Sequence, residues 1–295
     1  MIIKRDMYYP PAGNTRRLHI YLPDDYHASE ERYPVMYFFD GHNLFFNEDA
    51  TYGKSWGLKE FLDGWNRKMI VVGMECSHEG NARLIEYFPY IAESKGLRKL
   101  LGPDAPERIM GLGEATMLWI LGDVKSKIDR DYRTIPFREC TGIGGSSMGG
   151  LMALYGVARC NRWFSKAACV SSSIGFCFPE VMRDLEGDDI SPDTRVFLSW
   201  GTKEAWGVKD PSKEDRTSRT YHWNQAAADQ LKARGACAKS AWHDLLSCVP
   251  MGRAYTTSCE KTGESRARCR GKTGVDISRQ SRYYGYNFQE RRGRP

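Results

Sequence analysis

The stretch TGIGGSSMGG, residues 141–150, decides the fold of this 295-residue chain, and the helical pattern LMALYGVAR follows it at once. An apolar strand ends there in GSSMG, residues 145–149, which matches the G-x-S-x-G motif. Glycines on both sides of a serine permit a strained strand-to-helix turn, because neighbouring backbone can approach without a Cβ clash. The motif predicts Ser147 as a nucleophile, with the main-chain N–H of Met148 facing a developing oxyanion. A glycine-rich turn without chemistry is the alternative.

Around this turn, short apolar runs of strand character alternate with helix-like stretches, a pattern typical of a sheet covered by helices. The later runs are apolar throughout, as expected for parallel strands buried on both faces. We expect an α/β fold with a mostly parallel central sheet and helices on both faces. The predicted strands are 18–22, 35–39, 69–74, 142–145, 167–170 and 196–200, and the predicted helices are about 55–66, 114–129, 148–159 and 222–234.

The composition of the chain changes after Gly235. Leu, Ile, Val and Phe supply 6 of the last 60 residues, too few to bury the surface that offsets ordering entropy. Residues 236–295 carry 12 Lys and Arg against 5 Asp and Glu, whereas residues 1–235 carry 31 against 32, so the net charge of +6 belongs to the tail. We predict one folded domain over 1–235 and a basic, low-aliphatic tail over 236–295 that is disordered or out of frame.

Features of the sequence as a whole argue against several classes of protein. No apolar run approaches the roughly 18 to 20 residues of a membrane span, and residues 1–17 lack the apolar segment of a signal peptide. Nine cysteines, an odd number without zinc-ligand spacing, indicate reduced thiols. We expect a cytoplasmic protein with no metal, cofactor or membrane partner. Arginines and tyrosines around 266–286 have the composition of a nucleic-acid contact, but a charged disordered end explains them more simply, so no nucleic-acid partner is expected.

Further motifs on both sides of the turn follow one family pattern. They are YLP (21–23), YPVMYFFDG (33–41), IVVG (70–73), Arg83 with Glu86 and Tyr87, IDRDYR (128–133) and WGTKE (200–204). Together with the turn they resemble the α/β-hydrolase family of esterases that includes esterase D, enterochelin esterases, and feruloyl and acetyl-xylan esterases. The likeness covers roughly residues 15–234 in the family's order.

The resemblance also implies where the remaining catalytic groups lie. A serine hydroxyl needs a base, usually a histidine that a carboxylate orients. Related esterases carry the acid in a Gly-Thr-x-acid turn, which here is Glu204, with Asp210 in the same loop as the alternative. The second oxyanion donor is expected from the main-chain N–H of His42 or Asn43, after the strand ending at Phe39. A tight Asp-Gly turn without that role is the competing interpretation.

The catalytic histidine is where the chain departs from the family. Members place it in a Gly-Gly-x-His type turn after the glycine that ends the last long helix, and this chain has no such turn after Gly235. His243 lies nearest to the expected position and is the candidate base, although its flanking residues match nothing in the family. His222 is expected to cap or pack the helix it begins. Either a shifted reading frame or a divergent C-terminus would account for the missing motif.

These observations predict a carboxylic ester hydrolase that acts through an acyl-serine intermediate on a small acyl or aryl ester. An acyltransferase of the same fold is a close variant, since only the acceptor of the acyl group differs. A catalytically impaired esterase-like protein is the alternative from another class, because the family histidine is not identifiable.

Overall fold

A computed structural model of the chain describes residues 1–187, 189–201 and 219–243, with the last two residues described by their main chain alone. Ten strands lie within these ranges: β1 (Ile2–Tyr9), β2 (Asn14–Tyr21), β3 (Val35–Phe39), β4 (Ile70–Met74), β5 (Ile91–Glu93), β6 (Arg108–Met110), β7 (Thr141–Ser146), β8 (Lys166–Val170), β9 (Arg195–Gly201) and β10 (Cys237–His243). Eight α-helices accompany them there: α1 (Leu58–Asp63), α2 (Ala82–Glu86), α3 (Lys95–Leu101), α4 (Gly113–Trp119), α5 (Lys125–Asp131), α6 (Met148–Arg159), α7 (Phe178–Gly187) and α8 (Arg219–Ala233). A π-helical turn at Ile120–Val124 joins α4 to α5.

Eight of these strands form one sheet in the order β1-β2-β4-β3-β7-β8-β9-β10, and β5 and β6 form a separate hairpin. The first two strands and the β2–β4 pair are antiparallel. From β4 to β10 every pairing is parallel. The carboxyl ends of these parallel strands therefore meet at one edge of the sheet, where ligand sites of open α/β sheets form.

The sheet is buried on both faces, as strand β3 illustrates. Its residues Val35, Tyr37 and Phe39 belong to a large apolar cluster that includes the buried residues of α6, α7 and α8. Met36 and Phe38 point the other way, into a second cluster with the buried residues of α1. Successive side chains of a strand face opposite sides, so a run of five buried apolar residues requires cover on both. The predicted α/β architecture is confirmed.

Most predicted elements are present with small changes at their ends. Residues 35–39 and 148–159 begin and end as predicted, and the helix predicted from 222 begins at Arg219. His222 therefore lies inside the first turn of α8, exposed, and does not begin the helix. Unpredicted elements include β1, α7 and β10.

Strand β10 extends the fold past the boundary predicted at Gly235. Its seven residues pair in parallel with β9, from Cys237 opposite Arg195 to His243 opposite Gly201. Hydrogen bonds between main chains need no aliphatic side chains, which is why a segment as poor in them as CAKSAWH pairs here. Strand β10 therefore lies beyond the boundary predicted at Gly235, and residues 244–295 of the predicted disordered tail lie outside the described residues.

Candidate active site

Ser147 stands between β7 and α6 in a main-chain conformation that few residues adopt. Its φ is 57° and its ψ is −118°. Such a conformation costs about 1–3 kcal/mol and persists only where the surroundings hold it. The N–H of Ser147 donates to Val170 O at 2.9 Å, while its carbonyl accepts from Leu151 N at 3.0 Å and from Ser173 N at 3.1 Å. The strained strand-to-helix turn expected from the motif forms at this serine.

The glycines around Ser147 bring main chains into direct contact. A Cβ at Gly145 would lie 2.5 Å from the carbonyl carbon of Gly149, and one at Gly149 would lie 2.8 Å from Phe39 Cβ. At Gly150 it would lie 2.8 Å from Val170 O. Real Cβ atoms do not approach so closely, so each position requires glycine or a shift of the main chain. The glycines therefore seat the first turn of α6 against the ends of β3, β7 and β8.

The hydroxyl of Ser147 has a neighbour from the loop after β8. Ser173 Oγ lies 3.1 Å from Ser147 Oγ, within hydrogen-bond distance. Ser147 does not cap its own helix, since its side chain accepts no hydrogen bond from the first turn of α6. The hydroxyl therefore lies beside the carboxyl end of β8, and within the described residues its side-chain partner is a serine and not a histidine.

The N-terminus of α6 supplies a candidate oxyanion donor. The first N–H groups of a helix lack intrahelical acceptors, and the side chain of the N-cap residue Ser147 makes no hydrogen bond to them. Met148, the first residue of α6, carries one of these groups and is itself buried. The helix dipole adds a partial positive charge at the same end. Met148 therefore has the position and the electrostatics expected of an oxyanion donor.

The loop after β3 distinguishes between the two other predicted donors. Gly41, His42 and Asn43 form one 3-10 turn in which Asn43 N donates to Asp40 O at 2.9 Å. The Asn43 side chain is engaged as well, because its Oδ1 accepts from Thr51 N at 3.0 Å. No hydrogen bond of His42 N–H is found within the described residues. The main-chain N–H of Asn43 is thus already used within its own turn, so that of His42 is the better candidate for the second oxyanion donor.

The side chain of His42 is buried beside this loop. Its Nε2 lies 2.9 Å from Thr51 Oγ1, and its ring meets the His78 ring edge-on at 4.5 Å between centroids. Burial lowers the pKa of His42 to about 4, against the raising influence of Asp40. The imidazole is therefore neutral near pH 7, and its hydrogen bond leads to Thr51 rather than to the nucleophile.

An ion pair that the sequence analysis missed lies between the two donor segments. Arg83 of α2 binds Asp40 with two hydrogen bonds, Nε to Oδ1 at 2.6 Å and Nη2 to Oδ2 at 2.7 Å. The Asp40 side chain is 3% exposed, and its residue adopts a left-handed conformation with φ 58°. The resemblance singled out Arg83 as a motif residue, but nothing in the sequence indicated a partner 43 residues away.

The predicted acid and base are not brought to Ser147 by the described residues. Glu204 and its alternative Asp210 lie outside the described ranges. His243 is described by its main chain, at the end of β10 and opposite Gly201 in register. This places position 243 at the same carboxyl edge as Ser147, with β8 and β9 between their strands. The roles of Glu204 and His243 stay predictions.

Residues 1–187, 189–201 and 219–243 contain neither a metal-binding cluster nor a membrane-spanning helix. No group of three or more His, Cys, Asp or Glu side chains there has the geometry to hold a metal ion. None of the helices in those ranges is long and apolar enough to span a bilayer.

Comparison with known proteins supports the family resemblance. Residues 11–95 match the family described as "Putative esterase". This segment contains the loop after β3 and Arg83, and it ends before Ser147. A curated relative, the uncharacterized protein YbbA of Bacillus subtilis, is 25% identical over 194 residues, which cover 65% of this chain and 70% of that protein. The family match supports a hydrolase of the esterase type.

Solved structures share the fold. An IroE-like serine hydrolase of Shewanella oneidensis superposes with a TM-score of 0.65 at 19% identity, over 88% of this chain and 78% of that one. The siderophore hydrolase EstA of Aspergillus nidulans gives 0.62 at 16% identity, over 90% and 94%. The enterobactin esterase FES of Shigella flexneri gives 0.60 at 15% identity, over 89% and 59%. These likenesses confirm the α/β-hydrolase fold.

Proposed function

We propose that the protein is a serine carboxylic ester hydrolase that acts through an acyl-Ser147 intermediate on a small acyl or aryl ester. The strained conformation of Ser147 carries this proposal, because its φ of 57° is maintained at a cost and at the start of a helix. Strained residues cluster at active sites, where the strain can be part of the mechanism. A glycine-rich turn without chemistry would have no reason to place a serine there.

The proposed reaction has two steps. Ser147 Oγ attacks the ester carbonyl carbon while a base takes its proton, and the main-chain N–H groups of Met148 and His42 donate to the oxyanion. The carbon–oxygen bond to the alcohol breaks, and the alcohol leaves with the proton from the base. Water then attacks the acyl carbon, its proton passes to the base and on to Ser147 Oγ, and the carboxylic acid departs. His243 is the proposed base, and Glu204 is the proposed acid that orients it.

Hydrolysis of p-nitrophenyl acetate and butyrate by the full chain tests the proposal. Ser147→Ala should reduce turnover to the background rate, since loss of a triad serine costs on the order of 10⁶ in kcat. Ser165→Ala is the control, because Ser165 is a buried serine that precedes β8, at the opposite end of the strands from Ser147. It should retain turnover.

A fluorophosphonate probe identifies the nucleophile independently of substrate choice. Mass spectrometry should place the adduct on Ser147. An adduct on Ser146, or turnover that survives Ser147→Ala, would contradict the assignment. Absence of both turnover and adduct in the wild-type chain would instead favour the impaired esterase-like protein.

A further inference from the structure

The ion pair of Arg83 and Asp40 joins the two segments that carry the proposed oxyanion donors. Asp40 immediately precedes the 3-10 turn that contains His42. The same Arg83 Nη2 that binds Asp40 Oδ2 also lies 3.4 Å from the carbonyl oxygen of Ser146, the residue before the nucleophile. A single guanidinium thus contacts the residue that precedes each donor segment.

Asp40 brings a negative charge close to the first turn of α6. A Cβ placed on Gly149 would lie 3.2 Å from Asp40 Oδ2, so the carboxylate packs against the second residue of that helix. A negative charge there opposes the negative charge that develops on the oxyanion in the transition state. The site therefore needs a nearby cation that cancels the charge of Asp40.

Arg83 is well suited to that task. Its guanidinium binds the carboxylate in the two-pronged geometry that fixes both position and orientation. Burial alone would lower the pKa of Arg83, but the charge of Asp40 and its hydrogen bonds outweigh burial and raise it. Arg83 also lies over the Tyr87 ring, 5.2 Å from its centroid, and Tyr87 Oη accepts from Asp40 N at 3.3 Å.

The helix that carries Arg83 is itself anchored. Glu86, one turn further along α2 and buried, forms an ion pair with Arg16 of β2. Its other carboxylate oxygen accepts from Ser77 N at 2.9 Å. These contacts attach α2 to the sheet, so that Arg83 approaches Asp40 from a fixed support.

We infer that Arg83 is a positioning residue for the oxyanion hole. It holds the segments of His42 and Met148 at a fixed position relative to each other, and it neutralises the charge of Asp40 beside them. The inference rests on the proposed function. Arg83 touches neither the nucleophile nor the proposed donors, so it acts through Asp40 and Ser146.

Kinetics of Arg83→Gln, Arg83→Lys and the double variant Asp40→Asn/Arg83→Gln test the neutralising role. Arg83→Gln should lower kcat about 100-fold, the scale of one lost oxyanion donor, with KM changed by less than about threefold. Removing the uncompensated carboxylate in the double variant should recover at least about tenfold of that loss. Arg83→Lys should lie between wild type and Arg83→Gln, because lysine keeps the charge and loses the two-pronged contact.

Hydrogen exchange tests the positioning role without turnover. Amides in segments 40–44 and 146–149 should exchange faster in both Arg83→Gln and the double variant, since each lacks the bridge. Arg138→Gln is the matched control. The Arg138 side chain is 14% exposed and also binds an aspartate, Asp193, but it lies just before β7, at the opposite end of the strands from Ser147. It should leave kcat within about threefold and both segments unchanged.

The outcomes separate the two claims. Unchanged exchange in Arg83→Gln would overturn the positioning role, and no kinetic recovery in the double variant would overturn the neutralising role. Should the wild-type chain show no Ser147-dependent turnover, the proposed function fails, while the exchange measurement still decides whether Arg83 holds the two segments.

Discussion

Ser173 is joined to Ser147 twice, by the 3.1 Å contact between their hydroxyl oxygens and by the 3.1 Å hydrogen bond from Ser173 N to Ser147 O. Either hydroxyl can donate in this contact, so a base can take the proton of Ser147 when Ser147 Oγ accepts from Ser173 or turns away from it. A neutral hydrogen bond contributes about 1 kcal/mol net. We expect Ser173→Ala to label with a fluorophosphonate at Ser147, at a rate within about tenfold of wild type. Loss of labelling as complete as in Ser147→Ala would make Ser173 part of the catalytic machinery.

Gly145→Ala should destabilise the protein strongly. The new Cβ would lie 2.5 Å from both the carbonyl carbon and the carbonyl oxygen of Gly149, so α6 or β7 must shift. Overpacking of this kind costs about 1–3 kcal/mol or more in urea unfolding. Gly122→Ala is the control, because nothing lies within 4 Å of a Cβ at that helical position. It should be neutral or stabilising by up to about 1 kcal/mol. Equal effects of the two changes would contradict the close packing at Gly145.

The buried His42 should make stability depend on pH. Its pKa is about 4 in the folded protein and near 6.5 when unfolded, so the unfolded state binds more protons between these values. Stability should therefore fall as pH falls from 6.5 towards 4, by roughly 1–2 kcal/mol between pH 6.5 and 5. His42→Gln should make the midpoint of urea unfolding depend less on pH between 6.5 and 4. The neighbouring His78 is more than half exposed, and His78→Gln should leave the slope in place.

His243→Ala separates the two explanations of the missing histidine motif. If residue 243 supplies the base, the change should abolish Ser147-dependent turnover, while His222→Ala on the exposed side of α8 should not alter it. If the chain is instead out of frame after Gly235, turnover is already negligible. One of the other two frames of the downstream nucleotide sequence should then encode a glycine-rich turn with a histidine, followed by a tryptophan and a helix. Absence of such a motif in both frames, with activity lost in His243→Ala, would identify His243 as the base.

The parts of the fold that could be predicted from sequence are those with one dominant physical signal. The run Val35–Phe39 is apolar at every position because both faces of the sheet are covered, and its ends were predicted correctly. Strand β1 was missed because it is the first strand in the order of the described sheet. Its residues Lys4, Arg5 and Asp6 are exposed there and interrupt the apolar pattern. Strand β10 was missed for a related reason, since among the described strands it too is outermost and pairs through its main chain.

The candidate site likewise contains residues that the sequence predicts and contacts that only the structure shows. Ser147 and Met148 follow from a local motif, in which one strained turn dictates residue types at fixed spacing. The choice of His42 over Asn43 depends on which N–H the 3-10 turn consumes, and the sequence does not show that. The contact of Arg83 with Asp40 depends on the placement of α2 above the end of β3. Ion pairs between residues far apart in the chain leave no periodic pattern in the sequence, so they can be identified only from the folded structure.

The close approach of glycines beneath the site has a consequence for how such a protein diverges. A Cβ on Gly41 would lie 2.4 Å from the carbonyl carbon of Gly73, and Gly149 meets the Phe39 side chain at similarly short range. The segments of the proposed donors thus make contact where no Cβ fits, against main chain at Gly41 and against a side chain at Gly149. Relatives can therefore exchange other residues around the proposed site, and with them the esters they accept, without disturbing the proposed donors. The glycines have no such freedom, so substrate preference should drift across relatives while these few positions stay unchanged.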